Sequence, residues 1–158
     1  MSRDVGQAVE VQFPLQQLEP GWPPTTVEAI WCLPTPDEEG HYRVTNVPIH
    51  VIGVSRDDVV RARRGAAGPM EFVEVTARGG RSTLRVIAAE LMDTDAVADE
   101  LRVTGAVVQN TYISQLLAVD VPADVDFGPI HAWLVDAEAK GRIEWEEGLI
   151  AEGHVIVH

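Results

Sequence analysis

The chain has 158 residues, 46% of them apolar, and its 25 acidic against 12 basic side chains leave a net charge of −13. That apolar share suits a packed globular core and excludes wholesale disorder. No apolar run approaches the ~20 residues of a membrane-spanning helix, and so negative a chain is ill suited to general nucleic-acid binding, which needs clustered cations facing phosphates. The single cysteine, Cys32, permits neither an internal disulfide nor a multi-cysteine metal site. The opening Met1-Ser2-Arg3-Asp4-Val5 has no apolar signal core. The expectation is a cytoplasmic protein with no membrane and no nucleic acid as partner.

The first half reads as β. Val9 to Phe13 alternates apolar and polar residues until Pro14. Gly21-Trp22-Pro23-Pro24 is a rigid turn. Thr26 to Leu33 is rich in strand formers, and His41 to Val44 resumes a strand after the loop Pro34–Gly40, which predicts a hairpin. Pro48 to Val54 is a short apolar segment, Asp58 to Arg63 a strand and Met70 to Arg78 another. Five or six short strands with turns every ~8–12 residues point to a small barrel or curled antiparallel sheet.

The rhythm then changes. Ser82 to Leu91 reads as a strand; Asp93 or Thr94 caps a helix to Thr104, with Gly105 placed to end it. Ala106–Gln109 and Tyr112–Val121 flank Asn110-Thr111, which predicts a tight hairpin. Gly128-Pro129 opens a second helix in which Ile130, Trp133, Leu134 and Ala137 form one buried stripe. Ile143 and Trp145 alternate with Glu144 and Glu146 in a last strand. The order β-α-β-β-α-β is the ferredoxin-like split pattern. The predicted fold is therefore α+β: a barrel-like or curled β-rich half over residues 1–80, packed on a ferredoxin-like half over residues 81–158. Gly79-Gly80 reads as a two-residue turn that pairs the strands on either side of it.

An ordered series of motifs runs through the chain: Trp22-Pro23-Pro24, Val27-Glu28, Trp31, Tyr42-Arg43-Val44, Asn46-Val47-Pro48, Gly53-Val54, Asp58-Val59-Val60-Arg61-Ala62, Ser82-Thr83-Leu84-Arg85-Val86, Ala118 to Pro122 and Trp145 to Gly148. Together they resemble a bacterial family of uncharacterised proteins of similar length, a domain of unknown function. The resemblance implies no reaction. Where the family's pattern reads Gly-His before Ser-Thr-Leu-Arg, this chain has Gly80-Arg81, so no histidine role carries over.

Charge is unevenly spread. Residues 90–158 hold 14 acidic and three basic side chains, a net of −11, while most of the arginines lie between Arg56 and Arg85. The candidate ligand-binding set is Arg81, Ser82, Thr83 and Arg85, with Trp22 as an aromatic contact. Two guanidinium groups, two hydroxyls and the amides after Gly79-Gly80 could hold a carboxylate or phosphate. The plainer reading is a half-exposed strand with Arg81, Thr83 and Arg85 on its polar face. Cys32 with His41 or His50 nearby could be a nucleophile pair, but a cysteine between Trp31 and Leu33 more often packs in a core. The five histidines show no metal-ligand spacing. No catalytic residue, metal or cofactor is assigned.

Two functions follow as expectations. The first is a non-enzymatic binding protein whose acidic half engages a basic protein partner, as an immunity protein engages a nuclease toxin, or acts as a regulator. The alternative is a small enzyme or metabolite sensor that binds an anionic small molecule near Arg81–Arg85.

Overall fold

A computed structural model describes residues 7–17 and 19–156. The fold is mixed α+β, and the chain divides into two compact units, Met1–Gly79 and Gly80–His158. The opening five residues and His158 lie outside the described residues.

The first unit is a closed barrel of five strands, β1 (Val9–Pro14), β2 (Val27–Pro34), β3 (His41–Val44), β4 (Val59–Arg64) and β5 (Met70–Ala77). Neighbours in sequence pair antiparallel, including the expected β2–β3 hairpin, and β1 closes on β5 in parallel. Alternation decides the core: Val11, Phe13, Ile30, Cys32, Val44, Val60 and Ala62 point inward and are buried. Two register shifts between β4 and β5 curl the sheet towards closure. The Pro48–Val54 segment is a loop, yet Val51 and Val54 are core residues. Its amides explain why. Ile49, His50 and Val51 all donate to the Glu28 carboxylate at 2.8–3.0 Å, so a side chain satisfies what a ladder otherwise would.

The fully buried Asp58 organises the end of this unit. It accepts from the amides of Ser55 and Gly79 and from Arg78. This overturns the expected turn at Gly79-Gly80. The strands on either side belong to different sheets and do not pair, because Arg78 and Gly79 are drawn onto Asp58. A Cβ on Gly79 would lie 2.7 Å from the Asp57 backbone, so only glycine fits.

The second unit runs β6 (Ser82–Ala88), α1 (Thr94–Val103), β7 (Val107–Asn110), β8 (Leu116–Val121), α2 (Phe127–Ala139) and β9 (Ile143–Leu149). Its four strands form an antiparallel sheet in the order β7-β8-β6-β9. One sheet face supplies Leu84, Val86, Leu117, Val119 and Val121 to a core completed by Val97 and Leu101 of α1 and by Phe127, Ile130, Leu134 and Ala137 of α2. No helix among the described residues is long and apolar enough to cross a membrane.

Five local expectations change. β6 stops at Ala88, and a 3₁₀ turn, Leu91–Asp93, leads into α1. Asp93 makes no side-chain cap there; its carboxylate faces Arg142. The β7–β8 connection is residues 111–115, longer than a two-residue turn, and is held by Thr111 Oγ1 between Ile113 and Leu116. α2 begins at Phe127, because Asp126 caps the Gly128 amide at 3.0 Å; Pro129 then sits in the first turn, where its missing N–H costs nothing. Trp133 of the predicted stripe is only half-buried, and its Nε1 donates to Glu100.

Candidate functional site

The predicted ligand-binding residues are divided between the units: Trp22 in the first, Arg81 to Arg85 in the second. Trp22 precedes a cis peptide bond to Pro23 and meets the His50 ring edge-on at 5.4 Å. Its amide donates to Glu19, and Gln17 donates to the Pro23 carbonyl. It anchors its own loop.

Arg81 places its guanidinium fork on Asp120 of β8, Nε to Oδ1 at 2.8 Å and Nη2 to Oδ2 at 2.5 Å. Asp120 is fully buried. On β6 itself, Thr83 and Arg85 face away from Leu84 and Val86, opposite Asp120 and Ala118. The sequence reading makes this a half-exposed polar face, but Thr83 is fully buried and Arg85 is 2% exposed. Arg85 donates Nε–H to Glu146 Oε1 at 2.6 Å. A Cβ at residue 148 would lie 3.1 Å from Arg85 Nη1, and Gly148 leaves that room. The β6–β9 register shift between Thr83 and Leu84 lies beside it. Both guanidinium groups thus already hold carboxylates of their own chain, with the geometry an anionic ligand would use.

Ser82 projects to the other face. Its Oγ lies 2.5 Å from His154 Nδ1 and accepts from the Ala151 amide at 2.8 Å. His154 Nε2 faces the Pro122 carbonyl at 3.1 Å. A carbonyl only accepts, so the network assigns the proton to Nε2 and leaves Nδ1 to accept from the serine hydroxyl. Serine beside histidine is the pairing nucleophilic catalysis uses, but both residues are buried and the hydroxyl already donates to His154 and accepts from the Ala151 amide. The pair fastens residues 151–154 to β6.

Cys32 is also a core group. Burial pushes its thiol up from 9.0 to about 12, and its Sγ contacts the Ile30 carbonyl. His41 engages Glu38 and the Glu39 carbonyl. Among the described residues no group of three or more His, Cys, Asp or Glu could hold a metal ion.

The acidic surface of the second unit has a definite form. All five of its cations are in ion pairs within the chain: Arg81–Asp120, Arg85–Glu146, Arg102–Asp99, Lys140–Asp136 and Arg142 with both Glu100 and Asp93. Arg142 and Glu100 form a fork, Nη1–Oε1 2.9 Å and Nη2–Oε2 2.7 Å. Hydrogen bonding to Arg142 lowers the Glu100 carboxyl below its ordinary range. At one end of the sheet, Ala88 and Ala89 donate to the Gln115 and Arg142 carbonyls and draw three loops together. An open groove of about 830 Å³ lies there, lined by Ile87, Gln115, Glu138, Glu144 and Trp145 among others. Glu90 and Asp95 are exposed on the same stretch of chain. So are Leu91 and Met92, the latter 96% exposed, and Tyr112 stands on the loop that carries Gln115.

Sequence reasoning missed Asp120, Glu146 and His154. Asp120 left a signal: a lone carboxylate inside Leu116–Val121, an otherwise apolar strand, requires a cation. Glu146 and His154 left none, because their partners are 61 and 72 residues away.

A family model described as a domain of unknown function, DUF4265, matches residues 28–145, from β2 into β9. The chain belongs to the DUF4265 family. Within the DUF4265 span lie Arg81 to Arg85 and Asp120, while Trp22, Glu146 and His154 fall outside it. A crystal structure of a hypothetical protein from Neisseria gonorrhoeae is similar to 92% of this chain and 96% of its own, with a TM-score of 0.69 and 12% identity; at that identity the likeness is one of fold alone. No curated protein matches the chain.

Proposed function

We propose that this DUF4265 protein is a non-enzymatic binding protein of the bacterial cytoplasm whose second unit engages a basic protein partner. The carrying observation is that every cation of that unit is already tied to a carboxylate, while Glu90, Asp95, Glu138 and Glu144 stand exposed around one end of its sheet. Potential of one sign steers an oppositely charged partner and sets its orientation. Leu91, Met92 and Tyr112 supply apolar contacts beside the acidic groove, the combination of anchor and charged rim on which interfaces rely. The strand order and the β-α-β-β-α-β succession support reading this unit as ferredoxin-like. A single buried cysteine suits a reducing compartment.

The test is affinity capture from native lysate over a salt series, with wild type beside Glu138→Lys/Glu144→Lys. One basic protein should be retained stoichiometrically by wild type at low salt. It should be released as salt shortens the screening length to about 3–4 Å, near 1 M, and lost by the double variant. Equal retention by the double variant, or no basic protein at any salt, rejects the proposal.

A further inference from the structure

The barrel of the first unit is closed by a short seam. β1 and β5 share only the register pairs Val11↔Met70 and Gln12↔Glu71, although β1 runs on to Pro14 and β5 to Ala77. Pro14 has no N–H to extend a ladder. Leu15 then donates to Thr26 at 2.9 Å, so the chain follows β2 and leaves β5, while β5 stays with β4 as far as Val59↔Ala77. The strands splay apart.

Phe13 and Phe72, the residues just past the seam, bridge the gap with stacked rings, 4.7 Å between centroids and 26° between planes. Beyond them lies a cavity of about 330 Å³, walled by Phe13 to Gln16, Phe72 and Val75 and floored by the loop from His50 to Val54. Phe13, Val51 and Val54 are buried, whereas Phe72 and Val75 are half-buried. The cavity thus opens from the surface into the barrel core, and its size falls within the range of about 300–1,000 Å³ usual for small-molecule sites.

Its chemistry is selective. Among the described residues no Asp, Glu, Lys or Arg lines it, and His50 is the one ionisable side chain there. The amides of His50 and Val51, which could have received an anion, are already given to Glu28. An ionic ligand would lose hydration that the apolar side chains of Phe13, Leu15, Phe72 and Val75 cannot replace. A flat apolar ligand would bury its faces against the phenyl rings and the valine methyls. We infer that this seam cavity is a binding site for a small, uncharged, planar aromatic molecule of one or two rings, independent of the partner surface on the second unit.

The test uses the full chain labelled at its valine methyls and titrated with indole to about 5 mM, since a ligand of this size reaches dissociation constants on the order of 0.1–1 mM. Saturable shifts should concentrate on the methyls of Val51, Val54 and Val75. Indole-3-acetate, the same ring with a charge, should bind at least about tenfold more weakly. Val75→Trp, which fills the mouth from a half-buried position, should keep the methyl dispersion of a folded barrel and weaken indole at least about tenfold. Shifts that are absent or centred elsewhere overturn the inference whether or not the variant folds. A folded Val75→Trp protein that binds indole as wild type does, or equal affinity for indole-3-acetate, overturns it as well.

Discussion

Arg85 and Glu146 form an unequal pair: the guanidinium side chain is 3% exposed and the carboxylate side chain 53%, with Nε 2.6 Å from Oε1. A hydrogen bond between two charged groups is worth more than a neutral one, and the cost of breaking it falls on whichever member stays buried. Glu146→Ala therefore leaves a buried cation short of an acceptor and should destabilise by about 1–3 kcal/mol, despite its position on the wet face of a strand. Glu144→Ala, one pleat away and without an ion pair among the described residues, should change stability by less than about 0.5 kcal/mol. Chemical denaturation of the two variants decides it: equal midpoints would show that the pair contributes nothing.

Gly79 is held by close approach. The 2.7 Å that would separate a Cβ at this position from the Asp57 backbone cannot be relieved by a side-chain rotation, and the Gly79 amide is committed to Asp58. Gly79→Ala should cost about 1–3 kcal/mol through overpacking. Gly153→Ala, with nothing within 4 Å, should be near neutral. A thermal melt in which both variants match wild type would place the Arg78–Gly79 connection differently.

Acid should act partly through Glu100. Its folded carboxyl titrates below its ordinary 4.5 because Arg142 hydrogen-bonds the charged form, with Trp133 adding a weaker donor. For a depressed carboxyl the contribution is fully present above the unfolded value and is lost as pH falls through the folded one. Glu100→Gln should therefore flatten the stability curve below about pH 4.5 and leave its slope near neutrality unchanged. The side chain is largely solvated, so added salt should shrink the difference. Parallel wild-type and variant curves between pH 2 and 5 would contradict this assignment.

The Cys32 thiol has the opposite sign. Its folded value is raised by burial from 9.0 to about 12, so folding favours the protonated form. The associated stability is present below pH 9.0 and disappears as pH climbs towards the folded value. At pH 8 a thiol-specific reagent should modify the native chain only through opening, at a rate that climbs with urea. Prompt stoichiometric modification without denaturant would show the thiol to be accessible.

Local pattern was enough for most elements. Alternation around Val11 and Phe13, the run Val27–Leu33 and the stripe Ile130–Leu134–Ala137 each declare their secondary structure, because period 2 or 3.6 is a property of neighbouring residues. The boundaries that moved are those set by remote partners. Asp93 does not cap α1 because Arg142, 49 residues on, takes its carboxylate, and Gly79-Gly80 is not a hairpin because Asp58 draws the chain aside.

The amino-acid sequence by itself determined a barrel-like β half, an α+β half with two helices, the acidic balance of the second half and membership of a family of unknown function. All of these are written in composition, period and order. Only the tertiary structure decided what the polar residues do. Arg81 and Arg85 read as an anion site because their partners, Asp120 and Glu146, lie 39 and 61 residues away; Ser82 finds His154 at 72. The seam cavity likewise depends on where two strands distant in sequence cease to pair. Ion pairing, burial and strand divergence are relations between remote segments, and a linear pattern carries them only where an isolated charge, such as Asp120 in its apolar strand, demands a partner.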